Sequence, residues 1–156
     1  MGTYAFKSSG VTQQTTPANN ISVTPPPIGI VTPLVLGTTD LLQTNTDMGQ
    51  QMADNLRNLL QTNWGERLGL YNYGANLRPL LSDVVSQDDF DSRAMGAIKS
   101  AIQRWMPYVV LIDFSSTFDR VGKVTKGIAQ ATITITYSIP SLNVSNKKIK
   151  VTLYAM

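Results

Sequence analysis

The segment from Ala131 to Ile139 constrains the fold most strongly, because its apolar and polar side chains alternate without a break. Such alternation places every apolar group on one face of a half-buried β-strand. The apolar positions are Ala131, Ile133, Ile135, Tyr137 and Ile139. After a turn region at residues 140–146, Ile149, Val151 and Leu153 alternate with Lys148, Lys150 and Thr152. The two segments therefore predict a C-terminal β-hairpin.

Two main helices are predicted before these strands. The first begins near Thr46, and Asp47 suits its positive N-terminal end. Its apolar face has helical spacing and comprises Met48, Met52, Leu56, Leu59 and Leu60. The second helix follows the capping residue Ser86, has several aspartates in its first turns and stops at Pro107. Its predicted buried face comprises Phe90, Ala94, Ile98, Ala101, Ile102 and Trp105.

The remaining elements complete the predicted fold class. Residues 65–83 are expected to form turns and a short helix, with Tyr71, Tyr73, Leu77, Leu80 and Leu81 pointing inward. The nearly continuous apolar run from Tyr108 to Phe114 is typical of a central strand. We therefore predict an α+β fold in which two main helices pack on a small, mostly antiparallel sheet with a C-terminal β-hairpin, preceded by an extended N-terminal arm.

The predicted domain organisation follows a change in composition. Residues 1–43 are rich in Pro, Thr and Asn and show no sustained helical or alternating pattern. We interpret them as an extended arm and residues 44–156 as the folded domain. Such an arm contains too few apolar side chains to offset its ordering entropy alone. Its scattered apolar groups, from Ile28 to Leu36, either anchor it as a strap or belong to a floppy tail.

The composition excludes several classes of function. Cysteine and histidine are absent, which excludes thiol nucleophiles, Ser-His-Asp catalysis and thiolate or imidazole metal sites. A net charge of +3 without a dense basic stripe does not predict nucleic-acid binding, and the apolar runs are too short to span a membrane. Charged residues make up 15% of the chain, against about 25% in typical domains. This indicates either an uncharged polar surface or one covered by partner proteins.

Carboxylates are the remaining candidates for catalysis. Glu66 with one of Asp88, Asp89 and Asp91 would be the set for a glycosidase, which needs two carboxyl groups across a cleft. The aspartates are explained more simply by the positive end of a helix, so we predict no catalytic residue, no metal and no cofactor. Arg67 and Arg78 could contact phosphate, but the simpler expectation is that they pair with carboxylates such as Glu66 or with carbonyls at a helix C-terminus. Gly65 and Gly74 are interpreted as positions that need positive φ or a close backbone approach.

Two segments are candidates for protein contacts. Trp105, Met106, Pro107 and Tyr108 form a helix-to-strand corner, which is either core or an exposed aromatic anchor for a partner. The C-terminal hairpin is the second candidate, because an edge strand can join the sheet of another subunit. The alternative role of Lys147, Lys148 and Lys150 is to protect that edge from pairing.

One family resemblance combines these features. Gly65-Glu66-Arg67 is followed by Tyr73-Gly74, then by Leu77 and Arg78, and the second helix leads into the corner around Pro107. This order resembles the phage W-type baseplate wedge family, the sheath initiators of contractile phage tails, some of which carry a lysozyme label. The resemblance covers residues 45–156. Met106 and Tyr108 stand where the family has Glu and Arg, so a charged docking contact cannot be carried over.

The resemblance implies a structural role and no enzyme activity. A baseplate wedge protein of this kind would dock on the wedge core through Trp105, Met106, Pro107 and Tyr108. Its hairpin would template the first sheath ring by strand exchange, with Ile133, Ile135, Ile149, Val151 and Leu153 as the sheath-binding residues. The implied partners are other baseplate wedge proteins, the tail sheath protein and, as a further candidate, the tail tube or hub. The implied location is the virion tail baseplate, after synthesis in the host cytoplasm.

Two alternatives to this interpretation remain open at the level of the sequence. One is a peptidoglycan glycosidase that uses Glu66 and an aspartate. The other is a free-standing adaptor that uses the same fold to bind a single partner.

Overall fold

A computed structural model describes residues 25–37, 41–83, 86–120 and 129–155. Its elements, in chain order, are β1 (Gly29–Ile30), β2 (Thr44–Asn45), α1 (Met48–Gln61), α2 (Arg78–Asp83), α3 (Gln87–Trp105), β3 (Val110–Arg120), β4 (Ala129–Ile139) and β5 (Val144–Ala155). A 3₁₀ turn, Pro140–Leu142, connects β4 to β5. The α+β class, the two long helices and the C-terminal hairpin are confirmed.

The main sheet is antiparallel and has the strand order β3-β4-β5. The alternation predicted for β4 is confirmed, because Ile133 pairs with Val151 and Ile135 pairs with Ile149 on one buried face. The opposite face carries the threonines of β4. A left-handed Asn143, at φ 53°, ends the 3₁₀ turn that reverses the chain into β5.

The prediction of a central strand at Tyr108–Phe114 is wrong in two respects. The strand begins at Val110, and it lies at one edge of the sheet, while β4 occupies the centre. The apolar run is misleading because successive side chains alternate between the two faces of the strand, and only the inner face is covered by the helices. Val110 and Ile112 are both about half exposed.

The core lies between the helices and the inner face of the sheet. In α1 and α3, residues at helical spacing are buried, including Leu56 and Leu59 on α1 and Phe90 and Ile98 on α3. α1 and α2 pack on β5, whereas α3 packs on β3. Ser86 is the N-terminal cap of α3, as predicted, whereas α1 begins two residues after the predicted start near Thr46 and has Asp47 as its cap. Asp47 accepts a hydrogen bond from the Gln50 amide at 2.8 Å, and Ser86 accepts one from the Asp89 amide at 3.3 Å.

The described part of the predicted arm is attached to α1 by polar contacts. β1 pairs with β2, and an isolated bridge joins Leu36 to Leu42. We call the described residues of 28–45 the arm hairpin. The buried carboxylate of Asp54 accepts hydrogen bonds from Asn45 Nδ2 at 2.8 Å and from the Thr32 amide at 3.3 Å. The side chains expected to anchor a strap are instead largely exposed, Leu36 most of all, and residues 1–24 lie outside the described part.

Candidate assembly surfaces

The Gly-Glu-Arg motif forms a tight turn after α1. Gly65 has a φ of +87°, and its amide donates to the Tyr71 carbonyl at 2.7 Å. The Glu66 carboxylate accepts two hydrogen bonds from Asn63, both at 2.8 Å, and lies 3.6 Å from Arg78 Nη1. These hydrogen bonds from Asn63, and then the charge of Arg78, lower the pKa of Glu66. The expected pairing of Arg78 with Glu66 is therefore observed, whereas Arg67 forms no ion pair with a described carboxylate.

Gly74 brings the end of this loop against α1. Its φ is +109°, and a Cβ at this position would lie 2.1 Å from the Thr62 carbonyl oxygen. The Trp64 indole donates to the Gly74 carbonyl at 3.1 Å, and the Ala75 amide donates to the Leu59 carbonyl at 3.0 Å. The interpretation of both motif glycines as conformational requirements is confirmed.

The motif meets the helix-to-strand corner through stacked side chains. The Arg67 guanidinium lies 4.4 Å from the centre of the Tyr73 ring, and Tyr73 packs edge-on against Trp105 with 5.2 Å between ring centroids. Arg104 lies over the other ring of this pair, 5.3 Å from the Trp105 centroid. Burial, followed by the proximity of Tyr73, raises the pKa of Tyr108. Segments about thirty residues apart in sequence thus form one surface, which we call the aromatic corner: Tyr73, Trp105, Met106, Pro107 and Tyr108.

The four predicted wedge-contact residues differ in accessibility. Met106 is buried and Trp105 is partly buried, so both belong largely to the core. Pro107 is exposed, and 42% of the Tyr108 surface is accessible. From the sequence, this corner could be either core or an exposed anchor. The structure gives the core role to Trp105 and Met106 and leaves Pro107 and Tyr108 exposed. The part available to a partner is Pro107, Tyr108 and the outer surface of Trp105, and its binding to a wedge core stays a prediction.

The five predicted sheath-contact side chains are buried in the core of this chain. They are Ile133, Ile135, Ile149, Val151 and Leu153. These side chains pack beneath the helices, so in this chain they are not available for the direct contact with a sheath protein that was predicted. Within the described sheet, β5 is an edge strand, so its backbone and its outward-facing Lys150 and Tyr154 are what the hairpin presents.

The carboxylates proposed for a glycosidase have structural contacts. The lowered pKa of Glu66 keeps it ionised, whereas a general acid needs a raised pKa. Asp89 lies 3.8 Å from Arg93 Nη1. Asp91 accepts hydrogen bonds from the Ser116 hydroxyl and from Gln87 Nε2. In the described residues, no three acidic side chains come together as a metal site would require.

The loop between α1 and α2 carries an exposed apolar surface that the sequence analysis missed. Leu68 is 95% exposed and Tyr71 is 70% exposed, although Tyr71 was predicted to point inward. The Gly65–Tyr71 hydrogen bond closes the loop on itself, and neither Leu68 nor Tyr71 joins the hydrophobic core. The low charged fraction was the one sequence signal for such a surface.

The fold has counterparts among solved structures. One similar structure is a chain of the anti-feeding prophage (AFP) baseplate, solved by cryo-EM. The match covers 70% of this chain and 82% of the AFP chain, with 18% sequence identity and a TM-score of 0.55. A "putative tail lysozyme" from Geobacter sulfurreducens matches 72% of this chain and 93% of its own, with 18% identity and a TM-score of 0.48. The third is a chain of the baseplate complex from the type VI secretion system. The match covers 68% of this chain and 92% of the other, with 16% sequence identity and a TM-score of 0.44.

The AFP likeness establishes that this chain has the fold of a baseplate protein, which confirms at the level of fold the resemblance found in the sequence. No protein-family model matches the sequence. No curated protein matches it either. None of the described helices is long and apolar enough to cross a membrane.

Proposed function

We propose that this protein is a structural component of a contractile tail baseplate and is built into the tail particle. The observation that carries the proposal is its fold, shared with a chain of the AFP baseplate over 70% of its length. The exposed apolar side chains support it, because such surfaces on a soluble domain mark contacts with other proteins. The structural contacts of Glu66, Asp89 and Asp91 support a non-enzymatic role.

Docking on the wedge core is proposed to use the exposed part of the aromatic corner. Pro107 and Tyr108 directly follow Trp105, which packs against Tyr73, and Met106, which is buried, so their backbone is anchored to the core. A rigid aromatic group loses little side-chain entropy on binding, which is why aromatic residues often dominate protein interfaces. The contact would be apolar and aromatic instead of the charged one implied by the family pattern.

Initiation of the sheath is proposed to use the edge of β5. An edge strand offers unpaired backbone groups to a strand of another subunit, and outward side chains then oppose the added strand. Lys150 and Tyr154 are two of the exposed side chains on this edge strand. The tail sheath protein and other baseplate wedge proteins are the proposed partners, with the tube or hub as a further one.

One complementation experiment tests both contacts. Particles from a producer that lacks this protein are restored with variants and examined by electron microscopy and immunoblotting. Tyr108→Ala is expected to remove the protein from baseplates while the purified variant stays folded. Lys150→Glu combined with Tyr154→Glu is expected to leave it incorporated but to give tubes without ordered sheath. Asp89→Ala is the control, because it removes an exposed side chain that lies outside both surfaces.

The outcomes of this experiment are decisive for each contact. Normal incorporation of Tyr108→Ala would refute the docking site, and normal sheaths with the β5 double variant would refute the initiating edge. Trp105→Ala is a poorer test than Tyr108→Ala, because it removes the packing partner of Tyr73. Removal of residues 151–156 is poorer still, because it deletes Val151 and Leu153 from the core.

The two other candidate functions are tested separately. A glycosidase would release soluble fragments from purified peptidoglycan, and loss of this activity in Glu66→Gln would overturn the structural proposal. A free-standing adaptor would be absent from purified particles, which immunoblotting of the same preparations detects.

A further inference from the structure

A pocket of about 370 Å³ lies between the start of α1 and the tip of the β4–β5 hairpin. Its polar wall contains Asp47, Arg57, Tyr137, Lys147 and Lys148. Its apolar rim is formed by Met48, Leu142, Val144 and Ile149. This pocket is separate from the aromatic corner, and it shares the first half of β5, but neither Lys150 nor Tyr154, with the proposed sheath contact.

The hydroxyl of Tyr137 is an unused polar group in this pocket. Tyr137 is only 2% exposed, yet its hydroxyl forms no hydrogen bond with any residue that the structure describes. Among the described residues, Thr32 Oγ1 is the fully buried side-chain oxygen that lacks a hydrogen-bond partner. Tyr137 lines the pocket, so the pocket is the opening through which a ligand would reach this hydroxyl. A nearly buried hydroxyl without a partner is a donor available to a ligand.

The charges around the pocket favour an anion with a single charge. Arg57 is already paired with Asp54, at 2.8 Å, so these two charges offset each other. Lys147 and Lys148 form no ion pair with a described residue, and Asp47 contributes one negative charge. Two lysines less one aspartate leave a net charge of +1. The N-terminal end of α1 adds a partial positive charge.

We propose that this pocket binds an Asp or Glu side chain of a partner protein, with an apolar neighbour of that residue on the rim. The carboxylate would accept a hydrogen bond from the Tyr137 hydroxyl and lie near Lys147 and Lys148. A carboxylate matches the net charge of +1, whereas a doubly charged phosphate would be repelled by Asp47. The apolar rim also suits a protein segment better than a free inorganic ion.

The test is an NMR titration of the ¹⁵N-labelled full chain. The ligand is the blocked peptide acetyl-Leu-Glu-Asp-Leu-amide, with acetyl-Leu-Gln-Asn-Leu-amide as its neutral counterpart and inorganic phosphate as a third ligand. The acidic peptide is expected to shift the amide signals of Gly49, Gln50, Lys147 and Lys148. Tyr137→Phe is expected to weaken this binding about tenfold, because it removes one hydrogen bond to a charged acceptor.

Two surface variants keep the test independent of the buried tyrosine. Lys147→Gln with Lys148→Gln should weaken binding at least as much as Tyr137→Phe, since both lysines are exposed and the fold does not depend on them. Lys99→Gln, an exposed lysine on α3 outside the pocket, should bind as the unaltered protein does. Equal binding of the neutral peptide, or stronger binding of phosphate, would overturn the proposal. So would the absence of shifts, or an equal loss of affinity in Lys99→Gln.

Discussion

At the scale of single residues, Gly74 has the most demanding backbone position in the described part of the motif loop. Its φ of +109° strains any other residue, and a side chain would also meet the Thr62 carbonyl. Gly74→Ala is therefore expected to lower the free energy of unfolding by about 2–4 kcal/mol in urea denaturation. Gly96 is the matched control, because an added Cβ there has nothing within 4 Å and the residue is helical.

Gly96→Ala should raise the free energy of unfolding by about 0.5–1 kcal/mol through its higher helix propensity. A similar loss in both variants would show that the backbone position of Gly74 is not special. The need for glycine at residue 74 was predicted from the sequence, but its reason was not. The close approach to Thr62 arises only when the loop folds back on the end of α1.

At the scale of elements, the arm hairpin depends on one buried carboxylate. Asp54 has no exposed surface, and Arg57 bridges it to the hairpin by donating to the Thr32 carbonyl at 2.7 Å. Asp54→Ala leaves the Arg57 charge and the Thr32 amide without their partner. We expect a loss of about 2–4 kcal/mol in the free energy of unfolding, because Asp54 is buried while the Arg57 side chain keeps partial contact with solvent.

Hydrogen exchange distinguishes a local effect from a global one. In Asp54→Ala, the amides of Ile28 and Val31, which bond to the carbonyls of Asn45 and Gln43, should lose protection before those of α3. Asp89→Ala is the control, because its pair with Arg93 is exposed and contributes less than about 1 kcal/mol. Unchanged protection at Val31 would show that Asp54 does not hold the hairpin.

The elements also show where local patterns fail. Helix limits and caps were predicted well, since a cap such as Asp47 acts on an amide three residues away. The position of β3 was not, because an apolar run is equally compatible with a central strand and with an edge strand that contains a register shift. Strand order depends on pairing between segments distant in sequence, which periodicity does not report.

At the scale of the whole molecule, the buried tyrosine makes stability depend on alkaline pH. Burial raises the pKa of Tyr137 above its ordinary value of 10.0, with Arg57 opposing and Asp54 reinforcing the shift. The folded state thus holds this proton when the unfolded chain has lost it. The contribution of the protonated Tyr137 to the free energy of unfolding is fully present below pH 10. It is lost as the pH rises through the folded-state pKa of Tyr137.

The expected result is a free energy of unfolding that falls above about pH 10 in urea titrations at successive pH values. Tyr137→Phe should flatten this fall, whereas Tyr71→Phe, at an exposed ring, should leave it unchanged. An identical alkaline slope in all three proteins would remove Tyr137 as the cause.

The sequence by itself determined the local features: the amphipathic β4–β5 hairpin, the two capped helices, the absence of histidine and cysteine chemistry, and the glycines of the motif. Each of these depends on neighbours within a few positions, so periodicity and residue type suffice. Tertiary structure alone decided which strand lies at the centre, that Tyr73 meets Trp105, and that Tyr137 opens beside Lys147 and Lys148. These contacts join residues that only the packing of helices against the sheet brings together.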